Sequence, residues 1–279
     1  MWQSVLALSL SAYQCTCAVI VLDQLSRPIE IVDPCHRIIS LVPSITELLA
    51  DLGLTNRIIG VTKFCVHPPD LRHSKVNIGG TKQIRIQDIR ALQPDLIIAN
   101  KEENVQDQVE LVATFCPTYV SDTNCIADVL SLLRDIGQMC HCLAEASKLE
   151  SLLRDHAPRV IFNGQRVLYL IWRDPYMTVG GETYISYILE ELGLHNVCRE
   201  QRRYPKLSLE QIKKMDIDYI FLSSEPYPFS EKHRLYLAEQ LPDVRSVLVD
   251  GEAFSWYGSR LTHLPRYFSF LKKKLVIHS

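Results

Sequence analysis

Two stretches of the chain repeat one hydrophobic pattern. Residues 85–102 read RIQDIRALQPDLIIANKE and residues 208–225 read SLEQIKKMDIDYIFLSSE. At an offset of 123, Ile89 falls on Ile212, Leu92 on Met215, Asp95 on Asp218, Ile97 on Ile220 and Glu102 on Glu225. Each copy predicts a short amphipathic helix, a tight turn and an apolar run too short for a helix. Such a run is how a strand buried on both faces of a parallel sheet reads. A second pair, 45–54 (ITELLADLGL) and 185–194 (ISYILEELGL), matches at an offset of 140. Both members end on Leu-Gly-Leu, where glycine suits a left-handed helix stop. Two pairs in the same order predict two α/β lobes of related plan. The offsets differ by 17, so the first lobe carries about 17 extra residues between its two elements.

The other elements fall around these. Residues 19–32 predict two short strands about a turn at 23–28, and 37–42 predict a buried strand. Ser44 with Glu47 reads as a capping box that opens a helix at that strand's carboxyl end, the edge where α/β sheets bind ligands. A strand at 58–61 precedes a long Pro- and Gly-containing loop over 62–82. After the repeat come a helix at 104–115, with Asn104 as its N-cap, a strand at 118–120 and a helix at 126–137. Leu143, Ala146, Leu149, Leu152 and Leu153 keep helical spacing, so 140–163 predict one long helix, kinked near Pro158. The second lobe opens with a strand at 166–172, a loop at 173–181 and a helix from Thr183. A helix at 230–240, a strand at 246–249, a loop at 251–259 and a last helix at 260–275 follow the second repeat copy. The expected class is α/β: two Rossmann-like lobes joined by a single long backbone helix, with a ligand cleft between them. The expected boundaries are an extension or atypical leader at 1–18, lobe one at 19–139, the connecting helix at 140–165 and lobe two at 166–279.

Composition narrows the function classes. A chain of 279 residues with 47% hydrophobic and 22% charged content is an ordinary globular one. Its net charge of −2 gives no reason to expect nucleic acid. The nine cysteines are odd in number and contain no CxxC, which favours reduced, buried thiols over a disulfide scaffold. Residues 5–13 are apolar enough for a signal core, but the first basic residue is Arg27. The chain contains no GxSxG, Walker loop, GxGxxG or HExxH, so an enzyme is not expected.

The loops at the carboxyl edges hold the candidate chemistry. Lobe one offers Lys63, Phe64, Cys65 and His67, then Lys82, then Lys101. Cys65 and His67 are either two ligands of a soft or borderline metal or a buried thiol beside a surface imidazole. Lobe two offers Trp172, Arg173 and Tyr176, then Trp256, Tyr257 and Arg260. These aromatics are either core caps or flat faces which, beside planar cations, suit a large, conjugated, anionic ligand. Gly180 and Gly181 either free amides for an anion at the next helix or make a tight turn.

The runs RIISLVPSITELLADLGL, GVTKFCVHP, IGGTK and IRALQPDLIIANKEEN together resemble the class III substrate-binding proteins of ABC importers. LIWRDPYMTVGGETYI and FSWYGSRL resemble the subgroup that binds cobalamin or iron complexes, and the likeness spans about residues 19–275. The resemblance implies a monomer with a corrinoid in its cleft, delivered to an ABC permease, in a periplasmic or cell-surface setting. Cobalamin or an iron complex would be transported ligand, with no intrinsic cofactor. A ferric siderophore, haem or metal ion is the alternative within the family. A cytoplasmic metal- or cofactor-dependent enzyme with Cys65 and His67 as ligands is the alternative outside it. By resemblance Phe64 packs on the corrin, and Trp256, Tyr257 and Arg260 contact ligand. One surface glutamate per lobe docks the permease. Glu210 keeps that residue in lobe two, whereas Gln87, beside Asp88, stands in its place in lobe one.

Overall fold

The computed structural model describes residues 18–32 and 34–276, so the expected leader lies almost wholly outside the described residues. Two separate sheets form the frame. In lobe one, five parallel strands run in the order Val76–Asn77, Ile58–Val61, Ile38–Ser40, Leu96–Asn100 and Thr118–Ser121. In lobe two, Arg166–Trp172, Tyr219–Ser223 and Arg245–Val249 are parallel neighbours. Tyr176–Thr178 and Lys206–Leu207 add an antiparallel edge, and His195–Asn196 pairs with the start of Arg166–Trp172. An antiparallel hairpin, Ala18–Leu22 with Pro28–Val32, precedes them as expected.

The repeats occupy equivalent places. Leu96–Asn100 and Tyr219–Ser223 each lie directly beside the strand that comes first along the chain in their sheet. The matched aspartates do the same work in both. Asp95 accepts from the amides of His36 and Arg37 at 2.7 and 2.8 Å, and Asp218 accepts from the amide of Arg166 at 2.6 Å. Each carboxylate thus satisfies backbone donors at the start of the neighbouring strand, where no ladder partner exists. The Leu-Gly-Leu stops match as well. Gly53 and Gly193 sit at φ of +77° and +80°, and Leu54 and Leu194 donate back to the carbonyls of Leu49 and Leu189. That is the six-to-one closure of a Schellman stop.

Some local expectations give way. The helix Pro43–Asp51 opens on proline with no side-chain cap, since the missing N–H is one the helix would leave unpaired anyway. Glu47 is thereby released for another partner. Asn104 does not cap the helix Gln106–Ala113; it accepts from the amide of Asn100 and donates to the carbonyls of Leu41 and Thr81. The long loop of lobe one contains a helix, Pro69–Ser74, the edge strand Val76–Asn77 and a small hairpin, Gly79–Gly80 with Gln83–Ile84. The connecting helix is Leu143–His156, 14 residues and about 21 Å long, and it stops before Pro158 instead of kinking through it.

A single apolar core runs through lobe one, the connector, one face of lobe two and the last helix, Leu264–Val276. The other face of the lobe-two sheet has its own core around Leu168, Leu170, Ile220 and Leu222. The lobes are therefore packed together as well as tethered. Gly258, at φ +95°, lies where a Cβ would stand 3.3 Å from Leu48 Cβ of lobe one. The 3-10 turn Ser259–His263 continues that contact against the helix Pro43–Asp51 and the connector.

Candidate functional site

Residues just past the carboxyl ends of the strands meet across the lobes, so the two sheet edges face one another. On one side Arg260 clamps Glu47 with two hydrogen bonds, 2.9 and 2.8 Å, and reaches Glu252 at 3.0 Å. His67 joins Glu252 at 3.1 Å, and its ring stands edge-on to Trp256. The Arg260 guanidinium lies over that same indole, 4.8 Å from its centroid. Five side chains from both lobes thus form one interlocked group. Burial pushes the Glu47 carboxyl up, and Arg260 opposes that shift without cancelling it.

On the other side Glu102 pairs with Arg203 and accepts from the Tyr204 hydroxyl at 3.3 Å. A hollow of about 250 Å³ opens here, lined by Lys101, Glu102, Asn124, Glu182, Thr183 and Arg203, with Gly181 completing it. Two further glutamates flank these groups, Glu225 beside Trp256 and Glu103 next to Glu102 in the chain. Glu225 accepts from Ser255 Oγ at 2.8 Å and from the Trp256 indole N–H at 2.9 Å. Burial pushes both carboxyls above their ordinary range; Lys82 opposes this at Glu103, as the Ser255 and Trp256 donors do at Glu225.

The residues singled out from the sequence divide accordingly. Phe64 and Trp172 remain open, 49% and 41% exposed, each next to the carboxyl end of a strand. Lys63 holds its ammonium 4.9 Å from the Phe64 ring centroid, and Phe64 in turn sits over Gly80. Trp172 stands edge-on to Tyr227. Lys82 donates to the carbonyl of Glu102, and Lys101 pairs with Asp122. Trp256 and Tyr257 are only 7% and 5% exposed, and Arg260 pairs with Glu47 and Glu252, so all three lie in the junction between the lobes. Tyr176 is likewise a core side chain of lobe two. Arg173 turns to Asp174 and to the face of Tyr236. Of these two guanidiniums Arg260 is the tightly held one; Arg173 meets the exposed Asp174 at 3.7 Å.

The metal reading of Cys65 and His67 is corrected. Cys65 is fully buried, its thiol 3.1 Å from Thr46 Oγ1 and 3.3 Å from Thr62 Oγ1, while His67 turns to Glu252. Burial also pushes the Cys65 thiol up, away from the thiolate a metal needs. Among the described residues no group of three or more His, Cys, Asp or Glu is placed to hold a metal ion. Gly180 and Gly181 donate their amides to the carbonyls of Arg203 and Gln201, and a Cβ at either would strike backbone, so the tight turn is the reason for both. Gln87 and Glu210 lie exposed at equivalent places in the first turns of Ile86–Ala91 and Leu209–Ile212.

Sequence reasoning missed Arg203 and Tyr204, which sit in a loop with no pattern to mark them. Glu225 had a signal: it is the repeat partner of Glu102.

The comparisons agree with this geometry. Residues 38–242 match the family described as periplasmic binding protein. The vitamin B12-binding protein of Vibrio parahaemolyticus serotype O3:K6 is 27% identical over 198 residues, 68% of this chain and 72% of that one. The periplasmic vitamin B12-binding protein of Vibrio cholerae superposes with a TM-score of 0.69 at 21% identity, covering 87% of this chain and 99% of that one. The apo periplasmic haem-binding protein of Roseiflexus superposes with a TM-score of 0.71 at 20% identity, covering 84% and 97%. The chain belongs to the periplasmic binding protein family, in the class III substrate-binding group of ABC importers whose two α/β lobes are joined by one helix.

Proposed function

We propose that the protein captures a corrinoid between its lobes, outside the cytoplasm, and presents it to an ABC permease. The observation that carries the reading is the pair of open aromatic faces, Phe64 on lobe one and Trp172 on lobe two, at the two sheet edges that face each other. Large planar macrocycles bind by such faces, and each ring supplies contact area at little entropic cost. The vitamin B12-binding relatives support the choice of corrinoid over haem. A corrinoid is far larger than the 250 Å³ hollow, so it enters by spreading the Glu102–Arg203 side of the slot. Gln87 and Glu210, exposed one per lobe, are the proposed permease contacts; a glutamine in lobe one gives that half a hydrogen bond in place of an ion pair. The protein acts as a carrier with no chemical step of its own.

Titration with cyanocobalamin, haemin and a ferric siderophore, followed by tryptophan quenching and calorimetry, tests the reading. Saturable one-to-one binding of cyanocobalamin is expected. Binding of haemin or the siderophore with no response to cyanocobalamin would reassign the ligand within the family.

A further inference from the structure

The helix Glu231–Gln240 carries a histidine where a glutamate or glutamine is usual. Its capping box pairs Ser230 with His233, a side chain buried in lobe two. A glutamate or glutamine serves that position by accepting one backbone N–H. His233 does the same, its Nδ1 accepting from the Ser230 amide at 2.9 Å. An amide can only donate, so Nδ1 carries no proton, and the proton of the neutral imidazole sits on Nε2. Nε2 lies 3.2 Å from the Tyr227 hydroxyl and donates to it. Burial, with Arg173 and Lys232 adding to it, pushes the imidazole below its ordinary value and keeps it neutral. The backbone at a helix start thus fixes where a buried donor points. A helix cap alone would leave the second ring nitrogen without a use.

Tyr227 carries this constraint to the slot. Its amide donates to the carbonyl of Ile171, the residue before Trp172, at 3.3 Å. Its ring meets the buried rings of Phe229 and His233 edge-on, at centroid distances of 4.8 and 5.4 Å, and meets Trp172 edge-on at 5.5 Å. Trp172 is open to solvent, and an indole without such a neighbour exchanges among its rotamers. A face already held in place loses less freedom when a flat ligand settles on it. We propose that His233 is a positioning residue of the corrinoid site, acting through Tyr227 on the Trp172 face. This rests on the corrinoid reading and deepens it.

A double-mutant cycle read with cyanocobalamin tests it. His233→Gln keeps the usual capping acceptor and deletes the ring that braces Tyr227. Tyr227→Phe keeps the ring contacts and deletes the hydroxyl that His233 holds. Each is expected to weaken cyanocobalamin about fivefold in the otherwise wild-type protein and less than about twofold in a Trp172→Ala background. The fluorescence anisotropy of Trp172, isolated by subtracting the matching Trp172→Phe protein, should fall in both variants without ligand. No loss of affinity, an equal loss in both backgrounds, or unchanged anisotropy overturns the proposal and leaves corrinoid capture standing. A wild-type protein that does not bind cyanocobalamin overturns the corrinoid reading and this proposal together. Should His233→Gln fail to fold, Tyr227→Phe alone carries the test with the same outcomes.

Discussion

The lobes meet along two seams built from the same chemistry, a guanidinium on a glutamate, and the two differ in how much water reaches them. At the first, Arg260 and Glu47 are 16% and 13% exposed, with Trp256 over the guanidinium and Gly258 packed on Leu48. At the second, the Arg203 side chain is half exposed, and a hollow opens beside it. Charges behave differently in the two settings. In a water-poor seam each partner depends on the other, whereas at a wet one solvent and salt replace whichever is lost. The first seam therefore fixes the lobes relative to one another, and the second is the side that yields to a ligand.

Removing Arg260 should give an effect as large as any. Arg260→Ala leaves Glu47 and Glu252 facing each other in a part-buried seam, and a loss of about 3 kcal/mol in urea unfolding is expected. Replacing both members, Arg260→Met with Glu47→Leu, should recover most of it, because no charge is left stranded. A loss below about 1 kcal/mol in the single variant would put the Arg260 seam in the same class as the Arg203 seam.

The two tryptophans sharpen the contrast. Trp256→Ala deletes a buried ring that stacks on Arg260, meets His67 and donates to Glu225, so a stability loss of about 3 kcal/mol is expected. Trp172→Ala deletes an open ring, so stability should move by under about 1 kcal/mol while corrinoid affinity falls by about 1–3 kcal/mol. Thermal melts and calorimetry read both. Equal ligand-binding losses with unaltered melts would return Trp256 to the ligand face.

That contrast also marks what the sequence could convey. The frame was legible because period and repetition are local: the Asp95–Asp218 and Gly53–Gly193 matches survive as matching hydrogen bonds. The strands 58–61 and 166–172 fall where the pattern puts them. Loop chemistry was harder to read, because exposure depends on which lobe turns toward which. Trp172 and Trp256 look alike in sequence, each aromatic and beside a loop arginine or tyrosine, yet one is open and one is sealed under Arg260. The Glu47–Arg260 pair lies 213 positions apart and carries no spacing signal. Phe64 was legible only by family resemblance, since an aromatic at a loop start is more often a core cap.

A smaller effect should appear in the pH dependence. Glu47, Glu103 and Glu225 are all held above the ordinary carboxyl value of 4.5, chiefly by burial. Above that value the folded chain keeps protons that the unfolded chain has released. Their contribution to stability is thus full below 4.5 and is lost as pH rises through the raised values. Glu225→Gln cannot ionise, so its melting temperature should fall less than wild type between pH 5 and 8. Parallel curves would place the pH dependence at other groups.

The smallest change in stability is expected at the wet seam, and it is the most informative about ligand entry. Arg203→Ala removes an ion pair that water already weakens, so unfolding free energy should shift by under about 1 kcal/mol. Tyr204 still donates to Glu102 in that variant, which keeps the loop placed. The tie that remains there is the Tyr204 hydroxyl on the Glu102 carboxylate, without an ion pair, and the slot opens more readily. Association of corrinoid should accelerate, and raising salt should accelerate wild type toward the variant while leaving the variant little changed. Stopped-flow quenching at low and high ionic strength checks this. Identical association rates for both proteins at both salts would mean that the Arg203 side stays shut during binding, and the comparison between a fixed seam and a yielding one would fail at its second term.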